Sequence, residues 1–168
     1  RVVRSDDQNS NDLEKCLEEI LETERVEPKK TDVLVLGAFG GRFDQEMAAF
    51  HLLHKYSGSF NCVSLVGRFN LSFLIGPNRT NRIFPSFEFE GPSCGLIPIG
   101  HACESVTTNG LKYDMKNLAL SFGSFVSSSN CIQANEISIE TDKPLVWTVE
   151  LNQRNIAAAL ESIKRQKK

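Results

Sequence analysis

The residues best suited to chemistry in this 168-residue chain sit in one short run, Gly37-Ala38-Phe39-Gly40-Gly41-Arg42-Phe43-Asp44-Gln45. It begins where an apolar β-branched stretch, Asp32 to Leu36, ends. Phe43, Met47, Phe50 and Leu53 then recur at helical spacing, so an amphipathic helix follows the turn. A strand, a glycine-rich turn and a helix N-terminus form an anion site, because free backbone N–H groups and the helix dipole converge there. Arg42 adds a planar fork matched to two phosphate oxygens. Asp44 is out of place beside a phosphate unless a cation lies between them or the carboxylate handles a proton. Magnesium supplies that cation in most nucleotide chemistry. The plainer reading is that the glycines shape a turn and Asp44 caps a helix. The run matches neither G-x-G-x-x-G nor G-x-x-x-x-G-K-[ST], so no standard nucleotide motif decides between the two.

The elements that must position this run are legible from periodicity. Residues 5 to 12 are polar capping types, and Asn11 with Glu14 has capping-box spacing. Leu13, Leu17, Ile20 and Leu21 then form one apolar stripe, which predicts a helix from about Asp12 to about Arg25. Asp12 and Lys15 fall on its polar side, an i,i+3 pair that contributes about 0.3 kcal/mol if it is merely exposed. After the second helix, Ser57-Gly58-Ser59 marks a change of character. From there the chain predicts short strands at Cys62–Val66, Leu71–Ile75, Arg82–Phe84, Phe87–Phe89, Leu96–Ile99, Ser105–Thr108, Phe122–Val126, Ile137–Glu140 and Leu145–Leu151. Turn signals such as Gly91-Pro92, Asn109-Gly110 and Asp142-Lys143-Pro144 separate them, the pattern of a small antiparallel sandwich. Residues 154 to 168 read as a marginal helix or frayed tail.

Composition excludes several classes. A net charge of −2 and a pI near 6.0 offer no basic surface for nucleic acid. No apolar run approaches the roughly 20 residues that span a bilayer, and no signal-peptide pattern opens the chain. Cys16, Cys62, Cys94, Cys103 and Cys131 are odd in number and never in C-x-x-C spacing, which favours reduced thiols and a cytoplasmic protein. His51 and His54 lie three apart without an accompanying third ligand, so they read as a solvated helix face.

The residues themselves carry a further signal. Gly40-Gly41-Arg42-Phe43-Asp44-Gln45 resembles the G-G-R-x-D-[HQ] signature of the thiamine pyrophosphokinase family. Residues 7 to 16 resemble that family's D-Q-D-x-T-D-x-x-K-C segment, and Cys94 to Gly100 its C-G-L-I-P-[VI]-G strand. Thr107 to Tyr113 resemble T-T-x-G-L-K-[WY], Val126 to Asn130 resemble V-S-x-S-N, and Glu140 to Thr148 resemble E-T-D-x-P-L-[LV]-W-T. The six segments run in one collinear order from about residue 7 to residue 150.

The resemblance implies a partial Rossmann-like α/β domain followed by an antiparallel β-sandwich. Residues 1–57 would belong to the ATP-binding catalytic part, 58–151 to the thiamine-binding sandwich, and 152–168 to a tail. It implies a homodimer, with thiamine in a cleft between subunits, and transfer of diphosphate from ATP to thiamine, leaving AMP. Carried over by position, Asp12 and Asp44 are the magnesium-binding carboxylates, and Asp44 and Gln45 face the reacting groups. Gln8 and Lys15 are phosphate-side contacts, while Gly40, Gly41 and Arg42 form the phosphate turn. Ser127, Ser129, Asn130 and Trp147 are the candidates for the thiamine side, although ordinary strand residues would read the same.

The chain also departs from the family pattern. Asn9 stands where the family has Asp, and Asn11 where it has Thr. Segments of the A-D-G-G-A-N and G-D-F-D-S kind do not occur, and the first residue is Arg1. These departures lead to the expectation that the 168 residues are the C-terminal two-thirds of such an enzyme and transfer diphosphate poorly by themselves. The alternative is a non-catalytic thiamine-binding or dimerising remnant.

Overall fold

The structure, a computed structural model, describes residues 10–23 and 26–166. Ten strands and three α-helices are present among them. Helix α1 (Asp12–Glu22) starts where the capping residues predict, with the Glu14 N–H donating to Asn11 Oδ1 at 2.9 Å. Only half of the capping box forms, because the Glu14 carboxylate turns away to pair with Lys55 of α2 (Phe43–Lys55). Leu17, Leu52, Tyr56 and Phe60 pack together between the two helices and the sheet.

Strand β1 (Asp32–Leu36) pairs with β2 (Cys62–Val66) in parallel, and β2 pairs with β3 (Asn70–Ile75) antiparallel. β3 then pairs with β10 (Leu145–Leu151), which pairs with β5 (Glu90–Ile97), which pairs with β8 (Ser127–Cys131). The six strands form one sheet in the order β1-β2-β3-β10-β5-β8, continuous across residue 58. Parallel pairing needs a crossover, and α2 supplies it between β1 and β2. A second sheet of four strands, β4 (Asn81–Ile83), β9 (Ile137–Thr141), β6 (Cys103–Asn109) and β7 (Leu118–Leu120), has the order β4-β9-β6-β7. Its Val106, Leu120, Ile137 and Ile139 pack against Ile75, Leu96, Leu145 and Trp147 of the first sheet. The expected architecture, an α/β portion joined to an antiparallel sandwich, is the one observed.

Two expected strands are turns. Phe87–Phe89 forms a turn closed by Phe89 N–H donating to the Ser86 carbonyl at 2.9 Å. Phe122–Val126 folds back through Gly123 (φ +85°), with Ser121 N–H donating to the Phe125 carbonyl. Of the two alternatives expected for the tail, marginal helix or frayed end, the helix is the one observed, as α3 (Gln153–Gln166). Its start is tied down by Asn155 Nδ2 donating to the Glu88 carbonyl at 2.7 Å and by Gln153 donating to the Arg68 carbonyl.

The end of β2 is packed tightly against the turn after β1. A Cβ added at Gly67 would lie 2.8 Å from Phe39 Cβ and Cδ2, closer than side chains tolerate. Gly67→Ala is therefore expected to cost about 1–3 kcal/mol by overpacking and to push Phe39 out of its place. Chemical denaturation checks the cost, and unchanged stability would mean that Phe39 moves freely.

Candidate functional site

The parallel strands β1 and β2 end on one rim of the sheet, the place where open α/β sheets bind ligands. There the chain leaves β1 through Gly37 and Gly40, both left-handed at φ +79° and +98°, a conformation that side chains disfavour. The Gly37 and Ala38 N–H groups anchor this turn to β2 by donating to the Val66 carbonyl at 2.8 and 3.2 Å. Arg42 is the N-cap of α2, and its carbonyl accepts from Gln45 and Glu46 N–H at 3.1 Å each. Gly40, Gly41, Arg42, Asp44 and Gln45 thus share one exposed corner.

The charges in that corner are paired with each other. Arg42 donates from Nε to Asp44 Oδ1 at 3.0 Å and from Nη2 to Asp44 Oδ2 at 2.5 Å. The guanidinium hydrogen bond holds the Asp44 carboxyl below its ordinary pKa, so Asp44 is charged at neutral pH. Gly40 and Gly41 donate their N–H groups to Glu46 Oε1 at 2.8 and 3.3 Å. Glu46 lies one residue past the recognisable motif, and nothing in the motif points to it.

The other predicted residues fall in three places. Asp12 is fully exposed in the first turn of α1, with Lys15 Nζ 3.8 Å from Oδ1. Leu13 beside it packs against the same buried cluster, Ala49, Leu53 and Leu65, as Ala38 and Phe39 of the glycine turn. Gln8 lies outside the described residues. Ser127 and Asn130 are buried on β8, while Ser129 between them is exposed and left-handed at φ +58°. Ser129 lines a shallow groove of about 260 Å³ with Ser128, Gly95, Thr148, Asn70 and Phe69. Asn130 grips the backbone of Tyr113, accepting from its N–H at 3.1 Å and donating to its carbonyl at 2.9 Å. The Tyr113 ring beyond it is exposed, an aromatic face beside β8. Trp147 is wholly buried in the sandwich core, and its Nε1 has no hydrogen-bond partner among the described residues.

The two groups are far apart within one chain. β1 and β8 are the opposite edges of the six-stranded sheet, five inter-strand steps of about 4.8 Å, so about 24 Å separates them. That span exceeds the length of a thiamine molecule.

Among the described residues no group of three or more His, Cys, Asp or Glu side chains is arranged to hold a metal ion. The structure does bring a third histidine to the pair on α2. His101, in the loop after β5, stands edge-on to His54 with ring centroids 5.6 Å apart. Burial, and then the neighbouring His101, push the His54 pKa below 6.5, the Ile99 carbonyl opposing them and His51 adding to them. The folded state therefore favours neutral His54, and the stability this confers is present above pH 6.5 and is lost as pH falls below it. The unfolding midpoint is expected to drop on acidification from about pH 7 to about pH 5.5, and to drop less in His54→Phe. An identical pH profile in that variant would show that His54 is not the responsible group. No helix among the described residues is long and apolar enough to cross a membrane.

Residues 1–65 match the thiamin pyrophosphokinase catalytic domain, and residues 80–146 match the thiamin pyrophosphokinase vitamin B1 binding domain. Thiamine pyrophosphokinase 3 of Oryza sativa subsp. japonica is 38% identical over 154 residues, 89% of this chain and 57% of its own length. Thiamine pyrophosphokinase 2 of Arabidopsis thaliana is 34% identical over 156 residues, covering 92% of this chain and 58% of its own. The chain thus spans somewhat over half the length of these relatives. The crystal structure of yeast thiamin pyrophosphokinase superposes with a TM-score of 0.66 at 34% identity, over 73% of this chain and 40% of the yeast chain. With both domains matched in order, the chain belongs to the thiamine pyrophosphokinase family.

Proposed function

We propose that the protein transfers diphosphate from ATP to the hydroxyethyl oxygen of thiamine, releasing AMP. The observation that carries this reading is the corner at the carboxyl ends of β1 and β2. It offers turn amides at Gly40 and Gly41, the N-terminus of α2 and the Arg42 fork, all suited to phosphate oxygens. Catalysis of phosphoryl transfer is mostly positioning and charge stabilisation, and these groups supply both.

In the reaction the thiamine hydroxyl oxygen bonds to the β-phosphorus of ATP. The bond from that phosphorus to the oxygen bridging it to the α-phosphorus breaks, AMP leaves with the oxygen, and the hydroxyl proton is released. When Arg42 turns to a phosphate, Asp44 is freed from its fork and can orient the hydroxyl and accept its proton. Gln45 projects from the same first turn of α2, and Lys15 and Gln8 provide phosphate-side contacts. Asp12 and Asp44 suit magnesium, which takes one or two protein carboxylates together with substrate phosphates. When bound, magnesium neutralises phosphate charge.

Thiamine lies on the sandwich side, with Ser129 and the exposed Tyr113 ring as its contacts in the single chain, Lys112 Nζ, 5.3 Å from the ring centroid, giving up the ring to it. A flat cationic ring suits an aromatic face. Because β1, which leads into the phosphate turn, and β8, which carries Ser129, are opposite edges of the sheet about 24 Å apart, thiamine is shared between two copies of the chain, each completing the other's site. The product pair tests the reading however slow the turnover. Thiamine, ATP and magnesium are expected to give thiamine diphosphate and AMP in equal amounts. ADP with thiamine monophosphate would contradict it.

A further inference from the structure

Glu46 on the first turns of α2 reaches back to the glycine turn, where Oε1 accepts from Gly40 N–H at 2.8 Å and Gly41 N–H at 3.3 Å. These are the same two donors that the proposed function assigns to a phosphate. The other cationic element of the corner is engaged in the same way, both arms of Arg42 lying on Asp44. The two glycine amides and the Arg42 guanidinium are therefore each matched to one of the chain's own carboxylates. A phosphate oxygen and the Glu46 carboxylate cannot use two adjacent amides at once. They need the same donors and repel each other as like charges. Among the described residues nothing lies within 4 Å of a Cβ built on Gly40 or Gly41, which leaves room for an exchange.

We propose that Glu46 is an internal competitor for the phosphate turn, a carboxylate that fills the amide pair until a ligand phosphate displaces it and that thereby sets phosphate affinity. The inference rests on the phosphate reading above and goes beyond it in naming the residue that opposes binding. A plain helix cap would sit in the same place, since a glutamate near a helix start satisfies free amides. The two roles differ in sign. Neutralising a cap weakens the helix and leaves phosphate binding unchanged or weaker, whereas neutralising a competitor strengthens binding.

The test is calorimetric titration of the chain with inorganic pyrophosphate in the absence of metal. The proteins compared are the parent, Glu46→Gln, Arg42→Ala, the Glu46→Gln/Arg42→Ala double variant, and Glu22→Gln as a control of equal charge change at the far end of α1. Glutamine keeps the length and an acceptor oxygen but gives up the charge, so its hold on the amides is weaker. Glu46→Gln is expected to bind pyrophosphate about tenfold more tightly than the parent. Arg42→Ala is expected to weaken binding in both backgrounds, and Glu22→Gln to leave it at the parent value. Equal or weaker binding by Glu46→Gln overturns the inference, as does an equal gain in Glu22→Gln, which would reduce the effect to overall charge. If the parent binds and Arg42→Ala binds equally well, the phosphate reading of the turn fails as well. The amide resonances of Gly40 and Gly41 supply a reading that needs no ligand. They are expected to move in Glu46→Gln, and unmoved resonances count against the contact itself.

Discussion

Trp147→Ala is expected to lower the unfolding free energy by about 3–5 kcal/mol, the cost of emptying a fully buried aromatic site. The indole is wholly buried on β10, the strand that joins β3 to β5 in the centre of the large sheet. It packs in one cluster with Ile75, Leu96, Val106, Ile137 and Ile139, which come from both sheets. Its loss therefore opens a cavity where the two layers meet. Trp147→Phe separates packing from polarity. Nε1 has no hydrogen-bond partner among the described residues, so phenylalanine abandons no bond and removes a buried donor that is costly to leave unpaired. The expected loss for Phe is much smaller than for Ala. Urea titration of both variants measures this, and an Ala variant as stable as the parent would place the ring outside the core. The thiamine-side role that the family resemblance implies for Trp147 does not fit this burial, because a ring with no exposed face cannot stack on a ligand.

Asp44→Asn is expected to reduce diphosphate transfer by on the order of 10²-fold or more, with thiamine affinity largely intact. The substitution keeps the shape and a single acceptor for Arg42 but removes the charge that pairs with the guanidinium and that would take up a proton or a cation. An effect confined to kcat assigns Asp44 to the chemical step. Near-normal turnover in the variant would reduce Asp44 to a surface partner of Arg42.

The phosphate corner was legible because everything that makes it is local. Asp32 to Leu36, the glycines and the Phe43–Leu53 stripe each declare their element within a few residues, and the turn joins them directly. Runs rich in β-branched and aromatic residues and bounded by turn signals, such as Leu145–Leu151 after Asp142-Lys143-Pro144, are equally clear. Ser127–Cys131 was not, since Ser-Ser-Ser-Asn-Cys has neither alternation nor β-branching, and its strand forms because β5 is beside it. Phe122–Val126 misled in the opposite direction, as apolar aromatics there line an exposed turn around Gly123. Pairing partners were also hidden. No periodicity in Cys62–Val66 says that it lies parallel to β1 and not among the sandwich strands, and the consequence is a sheet that runs unbroken from one portion to the other. The internal pairs at the site, Arg42 with Asp44 and Glu46 with the turn amides, depend on side-chain directions that spacing alone does not fix.

The central claim is that the turn from Gly37 to Gln45 receives the nucleotide's phosphates. The most direct measurement follows backbone amide resonances while ATP is titrated into the isotopically labelled chain. The largest shifts are expected at Gly40, Gly41 and the first residues of α2, and are expected to vanish in Arg42→Ala. Shifts confined to the sandwich, with Gly40 and Gly41 unmoved at saturation, would contradict it.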